Sequence, residues 1–119
     1  MGTIELPFPP SINHYWRTFR GRHVISQGGK DYTVDVQAAL LSVGWRRMHG
    51  RLAVDVDAVM PDRRRRDIDN SLKVLLDALT KANAWEDDEQ IDDLRIRRVG
   101  VESPGRVIVT VKQLTGATQ

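Results

Sequence analysis

Residues 52–81 read LAVDVDAVMPDRRRRDIDNSLKVLLDALTK, and the change of period inside this stretch decides the fold. Leu52, Val54, Val56, Ala58 and Met60 alternate with Ala53, Asp55, Asp57 and Val59, the two-residue period of a strand with one buried face. Pro61 ends it, because its ring removes a ladder donor. Beyond the arginines the apolar spacing becomes three and four, so Ile68, Leu72, Leu75, Leu76 and Leu79 form the buried stripe of a helix that stops near Asn83. Asp67 or Asp69 suits the start of that helix, where a short carboxylate accepts from unpaired backbone N–H groups.

Working outward, Val34, Ala38, Leu41, Trp45 and Met48 recur at spacings of four, three, four and three, which predicts an earlier helix over about Asp31 to Met48. Thr3 to Phe8, closed by prolines, and Arg22 to Ile25, before the Gly28-Gly29 break, read as short strands. Leu94 to Val99 and Val107 to Leu114 read as two more, joined as a final hairpin across Glu102-Ser103-Pro104-Gly105. The expected order is β, β, α, β, α, β, β. The fold class is α+β: a single domain over residues 1–119 with a mixed β-sheet and two main helices packed on one face.

With 119 residues and 40% hydrophobic content the chain holds one modest core and not two. Cysteine is absent, which excludes a disulfide scaffold, a thiolate zinc site and a thiol nucleophile, and suits a reducing cytoplasm. The start carries no export signal and no apolar run nears the roughly 20 residues of a membrane span, so a cytoplasmic location and no membrane partner are expected.

Charge is more informative than its sum. The net value is +2, yet there are 14 Arg against 4 Lys and 12 Asp against 4 Glu. Arg matches phosphate with a planar fork of donors, and short Asp suits metals. The signs also separate: residues 1–66 carry +5, residues 67–98 carry −4 and the remainder +1.

The chemistry concentrates in MPDRRRRDIDNSLK and in WEDDEQIDD, whose Asp87-Asp88 lies 18 residues after Asp69. On a continuous helix Asp67 and Asp69 would diverge, so shared metal binding requires the helix to begin near them. Lys73 then stands one turn from Asp69. Taken singly, the first acids are capping residues and the later pair a solvated loop. Taken together they offer the hard carboxylate oxygens that Mg²⁺ prefers, while it keeps waters for a phosphate to displace. Asp55 and Asp57 are second-ranked ligands, since any half-exposed strand would show them. Arg63, Arg64, Arg65 and Arg66, directly before the acids, are better explained by phosphate binding than by solvation. His14, His23 and His49 lack the spacing of a zinc pair. Trp45 is core by periodicity, and Trp16 and Trp85 are open between core packing and base stacking.

At these residues the chain resembles the RusA family of phage and prophage Holliday junction resolvases, the crossover junction endodeoxyribonucleases. The resemblance runs through PFPPSINHYWR, MPDRRRRDIDNSLK, DALTKANAWEDDEQI and the C-terminal strand pair. Its most specific part is D-x-D-N-x-x-K, here Asp67, Asp69, Asn70 and Lys73, followed by W-x-D-D-x-Q, here Trp85, Asp87, Asp88 and Gln90. Relatives often place Gly in the turn where this chain has Asn83 or Ala84. The extra acids Asp92-Asp93 add rival ligands.

The resemblance implies that Asp67, Asp69 and Asp88 are catalytic and hold Mg²⁺, with Mn²⁺ as substitute, and that Lys73 assists. Phosphodiester hydrolysis in branched DNA follows, by paired symmetric nicks near CC dinucleotides, with no small-molecule organic cofactor. Two matched nicks need two active sites, which a C₂ homodimer supplies. Arg63 to Arg66, with Arg17, Arg20 and Arg22, would hold phosphates and select shape. Asn70, Asn13 and Asp87 stand as supporting candidates. Two rival readings are a non-catalytic branched-DNA-binding module and a metal-dependent nuclease acting on flaps or forks.

Overall fold

The computed structural model describes residues 1–11, 16–19 and 21–114, with the side chains of 16–19 and 22–24 left out. In chain order these form β1 (Gly2–Pro7), β2 (Trp16–Phe19), β3 (Arg22–Ile25), α1 (Gln27–Ser42), β4 (Leu52–Met60), α2 (Leu72–Lys81), a single 3₁₀ turn (Asp88–Gln90), β5 (Ile91–Val101) and β6 (Arg106–Gln113). The main sheet has the order β1-β6-β4-β5, and β2 and β3 make a separate two-stranded hairpin.

The central strand is β4, as its alternation requires. Val54 and Val56 are buried on one side, while Asp55 faces solvent. It pairs antiparallel with β6 and parallel with β5, so β4–α2–β5 is a crossover unit. Both helices cover the same sheet face. Tyr32, Val36 and Leu40 of α1 and Leu75, Ala78 and Leu79 of α2 close on Ile4, Leu6, Val54, Val56, Val107, Val109 and Val111. On the opposite face Asp55 pairs with Arg95 at 3.7 Å and Asp57 with Arg97 at 2.8 Å. The α+β layering expected from the sequence is therefore present.

Three expectations change. The first helix turns a different face inward: Tyr32, Val36 and Leu40 are buried, whereas Val34 and Leu41 are 59% and 81% exposed. The two stripes compete on one helix, and Tyr32 secures the winning one by donating its buried hydroxyl to the Pro7 carbonyl at 2.8 Å. The same helix stops at Ser42 because Gly44, at φ +67, turns the chain left-handed. Gly44 N–H then donates to Leu41 and Trp45 N–H to Leu40, the paired bonds of a Schellman end. Trp45 and Met48 consequently pack on the core from outside the helix.

Second, α2 begins at Leu72, so Ile68 precedes it and is 38% exposed. Its N-cap is Ser71, whose side chain makes no capping bond, so neither Asp67 nor Asp69 caps the helix. Third, the final strands do not form a hairpin with each other. After the turn at 102–105, β6 passes to the far side of β4 and lies between β4 and β1. The alternating Val107, Val109 and Val111 need a neighbour on each edge and a covered face, which the sheet interior supplies. Charged β5 is left as an edge, the position that charge protects from unwanted pairing. The turn itself demands glycine: Gly105 has φ +87, and a Cβ there would meet Pro61 at 3.0 Å.

Candidate functional site

The segment leaving β4 is shaped by Asp62. Its Oδ1 accepts from Arg64 N–H at 2.9 Å, and its two oxygens take Arg66 Nη1 and Nη2 at 3.2 and 3.0 Å. Two successive turns follow, Asn70 N–H to the Asp67 carbonyl and Leu72 N–H to the Asp69 carbonyl, both 3.1 Å. Asp67 and Asp69 thus lie just ahead of α2, not on a continuous helix. Both are exposed, and among the described residues neither carboxylate has a hydrogen bond or ion pair. Ser71 reaches back to the Pro9 carbonyl at 3.5 Å and ties the start of α2 to the segment after β1.

The second acidic segment is launched by the far end of α2. Asn83 sits at φ +67, with Asn83 N–H on the Thr80 carbonyl and Ala84 N–H on the Leu79 carbonyl. Asparagine takes here the left-handed position that glycine fills most easily. Asn83→Gly is therefore expected to leave the melting temperature unchanged or raised, and Asn83→Ala to cost roughly 1 kcal/mol, as urea unfolding would report. Trp85 follows, fully buried, with Nε1 donating to Thr80 Oγ1 at 2.7 Å; it is core and not a stacking platform.

Ion pairs then sort the acids of WEDDEQIDD. Glu86 meets His49 Nδ1 at 2.7 Å and Arg47 at 3.9 Å, and the histidine contact holds its carboxyl below the usual range. Arg51 binds Glu89 at 3.1 Å and Asp92 at 2.6 Å, so this rival ligand is neutralised. Asp87 caps the 3₁₀ turn by accepting from Glu89 N–H at 3.2 Å. Among the described residues Asp88 has no basic partner in contact. Asp88 is exposed, but partial desolvation pushes its carboxyl above the usual carboxylate range, Asp87 adds to this by hydrogen bond and charge, Lys73 opposes it and Asp77 reinforces it.

The sign of that shift makes a prediction. A carboxyl whose folded pKa is raised destabilises the fold when ionised, above that pKa, and contributes nothing once folded and unfolded forms are both protonated. In EDTA, Asp88→Asn is expected to raise the melting temperature at pH 8. The gain should vanish as pH falls below about 3.9, the unfolded value. A scan of melting temperature against pH checks it.

The structure does not draw the expected ligands into one cage. Asp67 and Asp69 precede α2 in the chain and Asp88 follows it, with the charges of Lys73 and Asp77 on α2 acting on Asp88. Among the described residues no three His, Cys, Asp or Glu converge as a metal would need. In donor chemistry the acids fit a hard divalent cation, and Lys73, one residue into α2, is close enough to Asp88 for its charge to act on it. Asp55 and Asp57, the second-ranked ligands, lie on the outer sheet face with arginine partners.

The arginines also differ. Arg63 and Arg65 are exposed and without partners among the described residues, Arg64 is 3.4 Å from Asp62, and Arg66 is held by both its nitrogens. Asn13 and Arg20 lie outside the described residues, as do the side chains of Arg17 and Arg22. One residue was missed in the sequence. Arg98 points to the helix side of β5, opposite to Arg95 and Arg97, and Arg98 Nη2 donates to the Arg66 carbonyl at the threshold of Asp67. The signal was the doubled arginine in R-I-R-R, which puts one cation on each face of a strand.

Fold and site together define a class: an α+β domain whose second helix is preceded in the chain by an arginine loop with exposed carboxylates and followed by a braced acidic turn. The chain belongs to the RusA family, since the family model described as Endodeoxyribonuclease RusA matches residues 7–112. It is 48% identical over 101 residues to the crossover junction endodeoxyribonuclease of Enterobacteria phage HK97, covering 84% of this chain and 83% of the relative. It is 40% identical over 116 residues to the crossover junction endodeoxyribonuclease RusA of Escherichia coli K12, with 94% of each covered. Enterobacteria phage 82 has a relative of the same name, 40% identical over 115 residues with 93% of each covered. No helix among the described residues is long and apolar enough to cross a membrane.

Proposed function

We propose that the protein is a Mg²⁺-dependent endodeoxyribonuclease of the cytoplasm that resolves four-way DNA junctions by paired symmetric nicks, acting as a homodimer. The observation that supports the site assignment is the sorting of the acidic turn: among the described residues Glu86, Glu89 and Asp92 each meet a base, whereas Asp88 has none in contact, is partly desolvated, and has Asp87 and Asp77 near it with Lys73 opposing them. A carboxylate in that state is one that a cation stabilises.

Asp67, Asp69 and Asp88 would hold the metal, which when bound supplies an activated water and neutralises charge developing on the phosphate. Lys73, whose charge acts on Asp88, would offer an ammonium to the phosphate or the departing 3′-oxygen. Arg63 and Arg65, both exposed, would take flanking phosphates, with Asp62 fixing the loop that carries them. Asp87 supports the backbone of the acidic turn as its cap, and Asn70 stands as a supporting candidate beside Asp69. Incision near CC dinucleotides stands as an expectation from the resemblance, with no side chain assigned to it.

The test is an immobile four-way junction, alongside flap and linear DNA, incubated with the protein or Asp69→Asn in Mg²⁺ or EDTA. Symmetric nicks in the junction that require both Mg²⁺ and Asp69 are the expected result. Nicks surviving either the substitution or chelation would sink the metal–carboxylate assignment, and faster cutting of flaps would reassign the substrate. Light scattering at working concentration checks the dimer.

A further inference from the structure

We propose that Gln90 is a positioning residue of this site, holding Asp88 in place through the backbone of the acidic turn; the inference rests on the reading of Asp88 as a working carboxylate. Gln90 is only 8% exposed, the one polar side chain among the buried described residues. Its Oε1 accepts from both Glu86 N–H and Asp87 N–H at 2.8 Å. Its Nε2 donates to the Gly50 carbonyl at 2.8 Å and, more weakly, to the Met48 carbonyl at 3.4 Å. The amide's two donors and its acceptor oxygen are thus all in use.

The two ends of the amide join different parts of the molecule. The oxygen closes the turn around Asp88, since it grips the backbone just before Asp88 from a residue just after it. The nitrogen ties that closed turn to residues 48–50, which lead directly into β4. The same segment is bonded to the other side of the turn by Met48 N–H on the Ala84 carbonyl at 3.0 Å and by its bridge to Trp85. Asp88 is referenced in this way to the central strand rather than to a free loop.

A capping role alone would not require glutamine. At the third position of a capping box Glu serves as well as Gln, because only an acceptor is needed. Here a carboxylate would face the Met48 and Gly50 carbonyls without a donor and would add a third negative charge beside Asp87 and Asp88. The amide is what the site demands, and residues that brace a metal ligand from behind typically change metal affinity or activity about 10- to 100-fold when lost.

The experiment compares wild type, Gln90→Glu and Asp88→Asn well below their melting temperatures. It measures Mn²⁺ binding by electron paramagnetic resonance, kcat and KM on a four-way junction, and junction affinity in EDTA. Gln90→Glu is expected to lower Mn²⁺ affinity and kcat about 10- to 100-fold with KM and EDTA affinity unchanged. If Gln90→Glu matches wild type in Mn²⁺ binding and kcat while Asp88→Asn loses both, the inference fails and the reading of Asp88 stands. If Asp88→Asn also matches wild type, the reading of Asp88 itself fails and this inference falls with it. Hydrogen exchange on the wild type decides the matter even where Gln90→Glu does not fold: the Glu86 and Asp87 amides are expected to be protected, and exchange at the rate of a free peptide would overturn the proposal.

Discussion

Asp88→Asn is expected to slow cutting of a four-way junction about a thousandfold, with junction affinity in EDTA unchanged. Metal activation of water and phosphate contributes several kcal/mol to such reactions, and each 1.4 kcal/mol is tenfold in rate. The substitution keeps the shape of the side chain and removes its charge, so the turn braced by Gln90 survives. Asp92→Asn is the matched control, because Asp92 already gives its charge to Arg51 at 2.6 Å. Quantified nicking under single-turnover conditions checks both. Equal losses in the two variants would mean that acidity of the whole turn matters, and not Asp88. The same Asp88→Asn protein is the one expected to melt later at pH 8, so loss of cutting would accompany a gain in stability.

Replacing Arg63 and Arg65 together by Gln is expected to weaken junction binding in EDTA and to flatten its salt dependence. Each phosphate contact releases a condensed counterion, so the slope of log affinity against log salt should become shallower by about 1 per arginine, or about 2 for the pair. These two are chosen because they are exposed and without partners among the described residues. Arg66 behaves differently: its fork on Asp62 closes the loop, so Arg66→Gln is expected to lower stability as well as binding. Titrations at several salt concentrations report the slope, and an unchanged slope would place Arg63 and Arg65 away from phosphate.

Much of this was legible in the residues. The boundaries of β4 follow from its alternation and Pro61, and they match the structure at both ends. The motifs D-x-D-N-x-x-K and W-x-D-D-x-Q carry the family, which the match over residues 7–112 shows. The first helix was legible as a helix but not in its facing. Val34, Ala38 and Leu41 form as regular a stripe as Tyr32, Val36 and Leu40, and periodicity has no means of choosing between two stripes on one helix. The choice came from the Tyr32 hydroxyl meeting Pro7, a contact across 25 residues of chain. The early end of the helix was readable in hindsight from Gly44 followed by an aromatic residue, the signature of a Schellman stop.

By itself the sequence determined what depends on neighbours along the chain: the periods of β4 and α2, the breaks at Pro61 and Gly105, and the two acidic motifs with their arginine loop. The tertiary structure alone decided what depends on meetings between distant residues. It placed β6 between β1 and β4 instead of beside β5, and started α2 at Leu72, after Asp67 and Asp69. It also brought Arg51 to Asp92, 41 positions away, while Asp88 has no basic side chain in contact among the described residues. Local pattern specifies which charges are present; only the folded chain specifies which of them are already cancelled.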